Sequence, residues 1–264
     1  MITLKTKEEI KMLREGGKIL AEILKEISKI TVPGATTAEL EKMACDLIEK
    51  AGGRPSFKGY KSVLDEKAYP TALCTSINNE IVHAPSLPGR KLKDGDIIGV
   101  DIGMEYPYKK NVDGLYTDMA ITLPVGKVGK EALRLISVTK KSLELAIKKV
   151  KPGNKLNDIG RTVQEFAEAN GFSVVRDLVG HGVGHDVHEE PRVPNYEIPE
   201  KSIDNVTLKA GMVIAIEPMI NTGEWGIEIA SDNLTILTID GSLSAHFEHT
   251  VAVTEDGYLV LTEL

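Results

Sequence analysis

Four stretches of the chain carry apolar residues every three or four positions, the spacing that places them on one face of an α-helix. Two helices are predicted before Gly52-Gly53 and two more between Leu133 and Asn170. Thr36 and Glu39 form a predicted capping box at the start of the second helix. The four predicted faces consist of Ile10, Leu13, Leu20, Ile23, Leu24 and Ile27; Leu40, Met43, Ala44, Leu47 and Ile48; Leu133, Ile136, Leu143 and Ile147; and Ile159, Val163, Phe166 and Ala167.

Apolar runs of strand length follow each pair of helices. The segments LKDGDIIGVD (residues 92–101) and LKAGMVIAIE (residues 208–217) each end in a carboxylate. The segment NVDG, Asn111–Gly114, predicts a turn between a strand at 97–104 and a strand at 117–123, which would pair antiparallel. Helices followed by strands in each part of the chain predict an α+β fold.

The order of these elements occurs twice. Pro33 and Pro152 stand 119 residues apart, and the pairs Leu40/Ile159, Leu47/Phe166 and Gly52/Gly171 have the same separation. The two strand runs above are 116 residues apart, and YTDMAITLPVG resembles HFEHTVAVTED at a distance of 130. We therefore predict one domain over residues 1–264, built from two pseudo-symmetric halves at about 1–125 and 126–264 that share one core.

Composition and charge exclude several classes of protein. The 264 residues are 42% hydrophobic and 27% charged, which is typical of a globular chain. The net charge of −7 without a basic block argues against nucleic acid or an anionic membrane as partner. No apolar run approaches the ~18 residues of a membrane span. The opening segment MITLKTKEEIKML lacks a signal-peptide core, and Cys45 and Cys74 are isolated, so we expect a cytoplasmic protein, by default a monomer.

The duplication places four acidic residues in equivalent pairs. Asp101 aligns with Glu217, and Asp118 aligns with Glu248. If the halves pack about a pseudo-twofold axis, these side chains meet inside apolar strands, where unpaired carboxylates are costly. Two divalent cations would balance their four negative charges. Oxygen-rich ligation suits Mn²⁺, Fe²⁺ or Co²⁺, with Zn²⁺ as a further candidate.

The segment GHGVGHDVHEEP concentrates histidines, at His181, His185 and His188. The glycines between them oppose a helix, which excludes a zinc site of the HExxH kind. Strand alternation predicts His181 and His185 on one face and His188 on the other, unless a bulge or bend intervenes. His83 follows the polar turn at residues 76–80 and, on its own, is interpreted as a surface histidine.

Taken together, these motifs resemble those of the type I methionine aminopeptidases, which have the pita-bread (creatinase/aminopeptidase) fold. The resemblance extends from about residue 8 to the C-terminus and is carried by YPTALCTSINNEIVHAPS, LKDGDIIGVDIG, LYTDMA, GHGVGHDVHEEP, MVIAIEPM and LSAHFEHTV. It implies a two-metal site, whose ligands in this sequence are Asp101, Asp118, His181, Glu217 and Glu248. The carboxylates follow from the duplication as well, whereas His181 rests on the resemblance.

The resemblance also implies functional roles. Glu217 would act as ligand and proton shuttle, His188 would bind the developing oxyanion, and His83 would contact the scissile amide nitrogen. Tyr69 and Cys74 match positions near the pocket for the methionine side chain, although Cys74 equally fits an ordinary buried residue. The implied substrate is the N-terminal methionine of new polypeptides, with the ribosome exit region as a partner.

Two alternatives and two departures accompany this interpretation. A Xaa-Pro aminopeptidase or prolidase shares the fold and the metal ligands, and an inactive relative that binds other macromolecules is a second alternative. Val187 departs from the resemblance, which implies an aromatic residue at this position. The hairpin at residues 104–114 is longer than expected, and we predict that it projects at the rim with Tyr106 and Tyr108 exposed.

Overall fold

The structure, a computed structural model, describes residues 2–61 and 67–264. Within these residues it contains four α-helices: α1 (Lys7–Ile30), α2 (Thr37–Lys50), α3 (Lys130–Ile147) and α4 (Leu156–Ala169). The strands in the same residues are β1 (Arg54–Pro55), β2 (Leu73–Ile77), β3 (Glu80–Val82), β4 (Ile97–Tyr106), β5 (Leu115–Pro124), β6 (Ser173–Val174), β7 (Gly180–Gly182), β8 (Glu189–Val193), β9 (Val213–Ile216), β10 (Met219–Asn221), β11 (Ile227–Ile229), β12 (Ile236–Thr238), β13 (Ser244–His246), β14 (Glu248–Val253) and β15 (Tyr258–Val260).

Helix α2 begins where the sequence predicts. The Thr36 hydroxyl accepts the Glu39 amide, and the Glu39 carboxylate accepts the Thr36 amide, so the predicted capping box of α2 is confirmed. The predicted apolar face of α3 is partly wrong, because Leu133 is 50% exposed. The buried stripe of α3 passes through Thr139 and Ser142, whose hydroxyls donate to helix carbonyls, so hydropathy alone does not reveal it.

One large antiparallel sheet carries strands from both predicted halves. Its order is β1-β4-β5-β14-β9-β7-β8, with β2 also paired to β4 and β15 to β14. The equivalent strands β5 and β14 pair with each other at the centre, and the equivalent strands β4 and β9 flank them. Helices α1 and α2 pack against the first half of the sheet, and α3 and α4 pack against the second. This arrangement is the predicted α+β fold.

The predicted hairpin is confirmed, with longer strands. β4 and β5 pair from Ile97↔Pro124 to Tyr106↔Leu115. At its tip, Tyr108 is 52% exposed as predicted. The prediction of an exposed Tyr106 is wrong: its ring packs beside Gly16 of α1, and its hydroxyl donates to Glu15 Oε1 at 3.1 Å.

The helices are too short or too polar to span a bilayer, as judged over the described residues.

Candidate metal centre

One row of residues crosses the centre of the large sheet. Cys74 lies opposite Asp101, Asp101 lies opposite Ala120, and Ala120 lies opposite Glu248. Side chains of directly opposed residues in an antiparallel sheet point to the same face. The row therefore brings Asp101 of the first half and Glu248 of the second half to one face, with only the small Ala120 between them.

The other two acidic residues extend the same patch. Asp118 lies two residues from Ala120 on β5, so it shares the face of that residue. Glu217 directly follows Ile216, which pairs with His249, and continuing that register sets Glu217 beside Glu248. The structure thus brings together the four carboxylates that the duplication predicted.

His181 joins this cluster from β7. Ligand atoms of Asp118, His181 and Glu248 all lie within 4.8 Å of one another. His181 Nε2 is 3.7 Å from Glu217 Oε1. His181 Nδ1 lies 2.9 Å from the Gly182 carbonyl, to which it can donate only with the proton on Nδ1. This tautomer leaves the Nε2 lone pair facing the carboxylates, the usual arrangement of a metal-binding imidazole.

Burial dominates the electrostatics of the cluster. It raises the pKa of Asp101 to about 6 and the pKa of Glu217 to about 7. The pKa values of Asp118 and Glu248 are also raised, by burial first and then by the charges of the neighbouring carboxylates. Four ionised carboxylates in one buried cluster repel each other unless cations balance them.

The hydrogen bonding of the cluster fits divalent cations. Across residues 2–61 and 67–264, buried oxygens without a hydrogen-bond partner include Asp101 Oδ1, Asp118 Oδ1 and Glu248 Oε1. Buried polar atoms are rarely left unpaired in folded proteins, so these oxygens point to a missing ligand. Four carboxylates and one imidazole form a donor set suited to borderline divalent ions. The residues therefore fit the metal group that the sequence implies.

A further histidine, His246, belongs to this cluster and has no role in the sequence analysis. It is 3% exposed, and its Nε2 lies 3.6 Å from Glu217 Oε2. Its backbone is fixed by Thr122, whose hydroxyl accepts the His246 amide and donates to the His246 carbonyl, both at 2.8 Å. The sequence could have pointed to His246, because it lies in the second copy of the repeated strand, two residues before Glu248.

The histidines of the loop between β7 and β8 do not follow the alternation that the sequence predicts. His181 and His188 lie together, with ring centroids 4.4 Å apart, whereas the His185 imidazole points to Glu9 instead. Alternation fails because the register shifts between Gly180 and Gly182 and the chain then leaves the strand. His188 Nδ1 lies 2.9 Å from the Tyr60 hydroxyl, a partner that sequence reasoning missed. Burial, and then the charges of His181 and His83, lower the pKa of His188 to about 3.

A cavity of about 640 Å³ opens from the carboxylates to the surface. His83 and Tyr69 line it, as does buried Cys74. His83 directly follows β3 in a left-handed conformation with φ of 61°. Cys74 packs with Phe57 and Val187 in a small apolar cluster, and the Tyr69 hydroxyl donates to the Leu73 carbonyl at 3.3 Å. The cavity thus has a charged floor and an apolar wall.

Comparison with known proteins gives one consistent family. The sequence model of metallopeptidase family M24 matches residues 11–255. The chain is 43% identical to methionine aminopeptidase 1 of Bacillus subtilis over the full length of both proteins. It is also 43% identical to the methionine aminopeptidase of Aquifex aeolicus, covering 100% of this chain and 99% of the relative.

Solved structures agree at the level of the fold. The crystal structure of methionine aminopeptidase from Thermotoga maritima superimposes with a TM-score of 0.92 at 41% identity, and each chain is fully covered. A prolidase from Pyrococcus horikoshii has a TM-score of 0.73 at 20% identity, and the match covers 63% of that longer chain. At that identity the prolidase likeness concerns the pita-bread fold alone.

Proposed function

The chain belongs to metallopeptidase family M24, and we propose that it is a methionine aminopeptidase that hydrolyses the first peptide bond of polypeptides beginning with methionine. The observation that carries this proposal is the row from Asp101 to Glu248, which supports a cation site with His181 at the floor of an open cavity. Full-length identity of 43% to two methionine aminopeptidases supports the choice of substrate.

We propose that the site binds two divalent cations. Their ligands would be Asp101, Asp118, His181, Glu217 and Glu248. Manganese, iron, cobalt and zinc are all compatible with this donor set. When bound, such a pair polarises the scissile carbonyl and lowers the pKa of a water molecule towards neutrality. The four carboxylates would hold the cations, and the Nε2 atom of His181 would supply the single nitrogen ligand.

Three residues of the chain would handle protons and oxyanion charge. Glu217 directly follows β9 and lines the cavity, so it would both hold the cations and accept and return the proton of the attacking water. The lowered pKa of His188 keeps its imidazole neutral. If the Tyr60 hydroxyl donates to His188 Nδ1, the ring proton sits on Nε2, from which it can bind a developing oxyanion. His83, on the cavity wall, would contact the scissile amide nitrogen.

The apolar wall of the cavity is the proposed pocket for the methionine side chain. Cys74 and Val187 are buried there next to Phe57, and Tyr69 lies edge-on to Phe57 with ring centroids 6.5 Å apart. Soft and aromatic side chains make favourable contacts with a thioether. The short Val187 leaves this pocket wider than an aromatic residue would.

We propose that residues 1–264 act as a single catalytic domain, because the cluster takes carboxylates from both halves. Both cysteines are unpaired thiols, which supports a cytoplasmic location. We further propose that the protein works as a monomer on new polypeptides near the ribosome exit region.

A peptide panel tests the proposal against its alternatives. With Mn²⁺ or Co²⁺ supplied, we expect release of methionine from Met-Gly-Ser peptides and little release of the first residue from Xaa-Pro peptides. Faster cleavage of Xaa-Pro peptides would instead indicate a prolidase-like peptidase. Complete lack of hydrolysis with every cation would support the inactive relative.

A further inference from the structure

The loop at residues 183–188, between β7 and β8, carries two groups of the proposed site. Val187 packs into the apolar wall of the cavity, and His188 lies against His181 at its floor. The loop has no regular strand pairing of its own, so other contacts must hold its shape.

Glu189 is the central contact of this loop. Its Oε1 atom accepts the amides of His185 at 2.5 Å and Asp186 at 3.1 Å, which closes the loop on itself. Its Oε2 atom lies 2.5 Å from Lys5 Nζ and also accepts the Thr3 hydroxyl. Burial acts to raise the pKa of Glu189, but the hydrogen bonds from Lys5 and Thr3 outweigh burial, and the pKa lies below its usual value.

Lys5 comes from the extended segment before α1, far from the loop in sequence. Its side chain is 1% exposed, which is unusual for a lysine unless a partner requires it. The stem of Lys5 lies across the loop backbone, because a Cβ placed on Gly184 would come within 2.4 Å of Lys5 Cε. The Lys5 amide donates to the Gly211 carbonyl at 2.7 Å, just before the strand β9 that leads to Glu217.

A second connection joins α1 to the same loop. Glu9 Oε1 lies 2.6 Å from His185 Nε2, while Glu9 Oε2 accepts the Thr6 amide in the capping box of α1. The hydrogen bond from His185 is the main cause that lowers the pKa of Glu9 to about 2. The first turn of α1 is therefore fixed to the loop at the residue three positions before His188.

We propose that the side chains of Thr3, Lys5 and Glu9 form a clamp on the loop that carries His188. Within it, Lys5 is a positioning residue that acts through Glu189 on His188 and Val187. A buried ion pair contributes little net stability compared with apolar residues of the same size, so its effect here is on geometry. The consequence for turnover rests on the proposed peptidase function, whereas the clamp itself does not.

The test compares Lys5→Met with Lys7→Met. Lys7 lies two residues away and forms an exposed pair with Glu255, so its substitution controls for the loss of a charge in the same segment. We expect hydrogen exchange at the amides of His185 and Asp186 to accelerate at least about tenfold in Lys5→Met only. We expect kcat to fall by about 10²-fold with a smaller change in KM, because small misplacement of a catalytic group has effects of this size.

A double variant, Lys5→Met with Glu189→Gln, tests whether Lys5 positions the loop or only balances the charge of Glu189. It removes the uncompensated buried carboxylate, so we expect it to recover melting temperature while exchange in the loop stays fast and kcat stays low. Recovery of all three would overturn the proposal, as would unchanged exchange in Lys5→Met. If methionine release fails in the wild type but the exchange difference appears, the clamp stands and the proposed function falls.

Discussion

The hydroxyl of Thr250 binds both backbone polar groups of Asp118. It accepts the Asp118 amide at 2.9 Å and donates to the Asp118 carbonyl at 2.7 Å. Thr122 of β5 makes the same pair of hydrogen bonds to His246 of β13, so the two halves fix each other reciprocally. Each threonine thereby holds the backbone of a residue in the carboxylate cluster.

This relationship predicts the effect of Thr250→Val. The substitution keeps the shape of the side chain but leaves the amide and carbonyl of Asp118 unpaired in a fully buried position. We expect a loss of about 2–4 kcal/mol in the free energy of unfolding, from one to two unpaired groups, and weaker Mn²⁺ binding. Urea denaturation and calorimetric titration measure the two effects. Thr254→Val, at a half-buried position one residue beyond the end of β14, is the control, and an equal loss in both variants would contradict the prediction.

Removal of one cluster carboxylate is expected to have opposite effects with and without cations. Asp118→Asn removes one of four buried carboxyl groups that disfavour each other's ionisation, so the cation-free protein should gain stability. The same change should abolish the rise in melting temperature that Mn²⁺ gives the wild type. Thermal unfolding with and without Mn²⁺ measures both. A cation-free variant less stable than wild type would count against repulsion within the cluster.

The raised pKa values predict a pH dependence in the cation-free protein. Because the folded-state pKa of Glu217 lies near 7, above its ordinary value of 4.5, the folded protein binds more protons than the unfolded chain between these values. The contribution of Glu217 to the stability of the cation-free protein is therefore fully present below about pH 4.5 and is lost as the pH rises towards 7. Buried histidines with lowered pKa values act in the opposite direction below about pH 6.5, so the comparison needs a matched variant.

Glu217→Gln provides that comparison. Between pH 5 and pH 8 the melting temperature of the cation-free wild type should fall relative to this variant, since the glutamine does not titrate. For the wild type, the increase in melting temperature on adding Mn²⁺ should be larger at pH 8 than at pH 5.5, because protons compete with cations for the same oxygens. Parallel curves for the two proteins would refute this linkage.

His188→Ala tests the proposed oxyanion contact. His188 lies beside His181 but is outside the five proposed ligands, so we expect the variant to retain its cations and lose about 10²–10³-fold in kcat. Elemental analysis and steady-state kinetics on Met-Gly-Ser peptides provide the two readouts. Near-normal turnover would remove His188 from the mechanism, and loss of cations would make it part of the metal site instead.

Some of the site could be predicted from sequence because register and repetition are regular. Asp101 and Glu248 end up on one face since antiparallel pairing fixes which residues oppose each other, and the repeated strands bring the equivalent carboxylates to the centre. The same regularity explains why the start of α2 and the hairpin at Ile97–Pro124 agree with the structure.

The parts that could not be predicted depend on irregular backbone and on distant contacts. The position of His188 beside His181 results from a loop in which alternation no longer holds. The burial of Lys5 and the contact of Glu9 with His185 join residues more than 170 positions apart, for which no local pattern exists. Leu133 was placed on the wrong face because hydroxyl side chains occupy part of the buried stripe of α3.

The central claim is that both halves of the chain enclose a pair of cations. The most direct measurement is anomalous scattering at the manganese edge from crystals grown with Mn²⁺. We predict two peaks within coordination distance of Asp101, Asp118, His181, Glu217 and Glu248. An absence of peaks among these five side chains at saturating Mn²⁺, or peaks located only elsewhere on the molecule, would contradict the account.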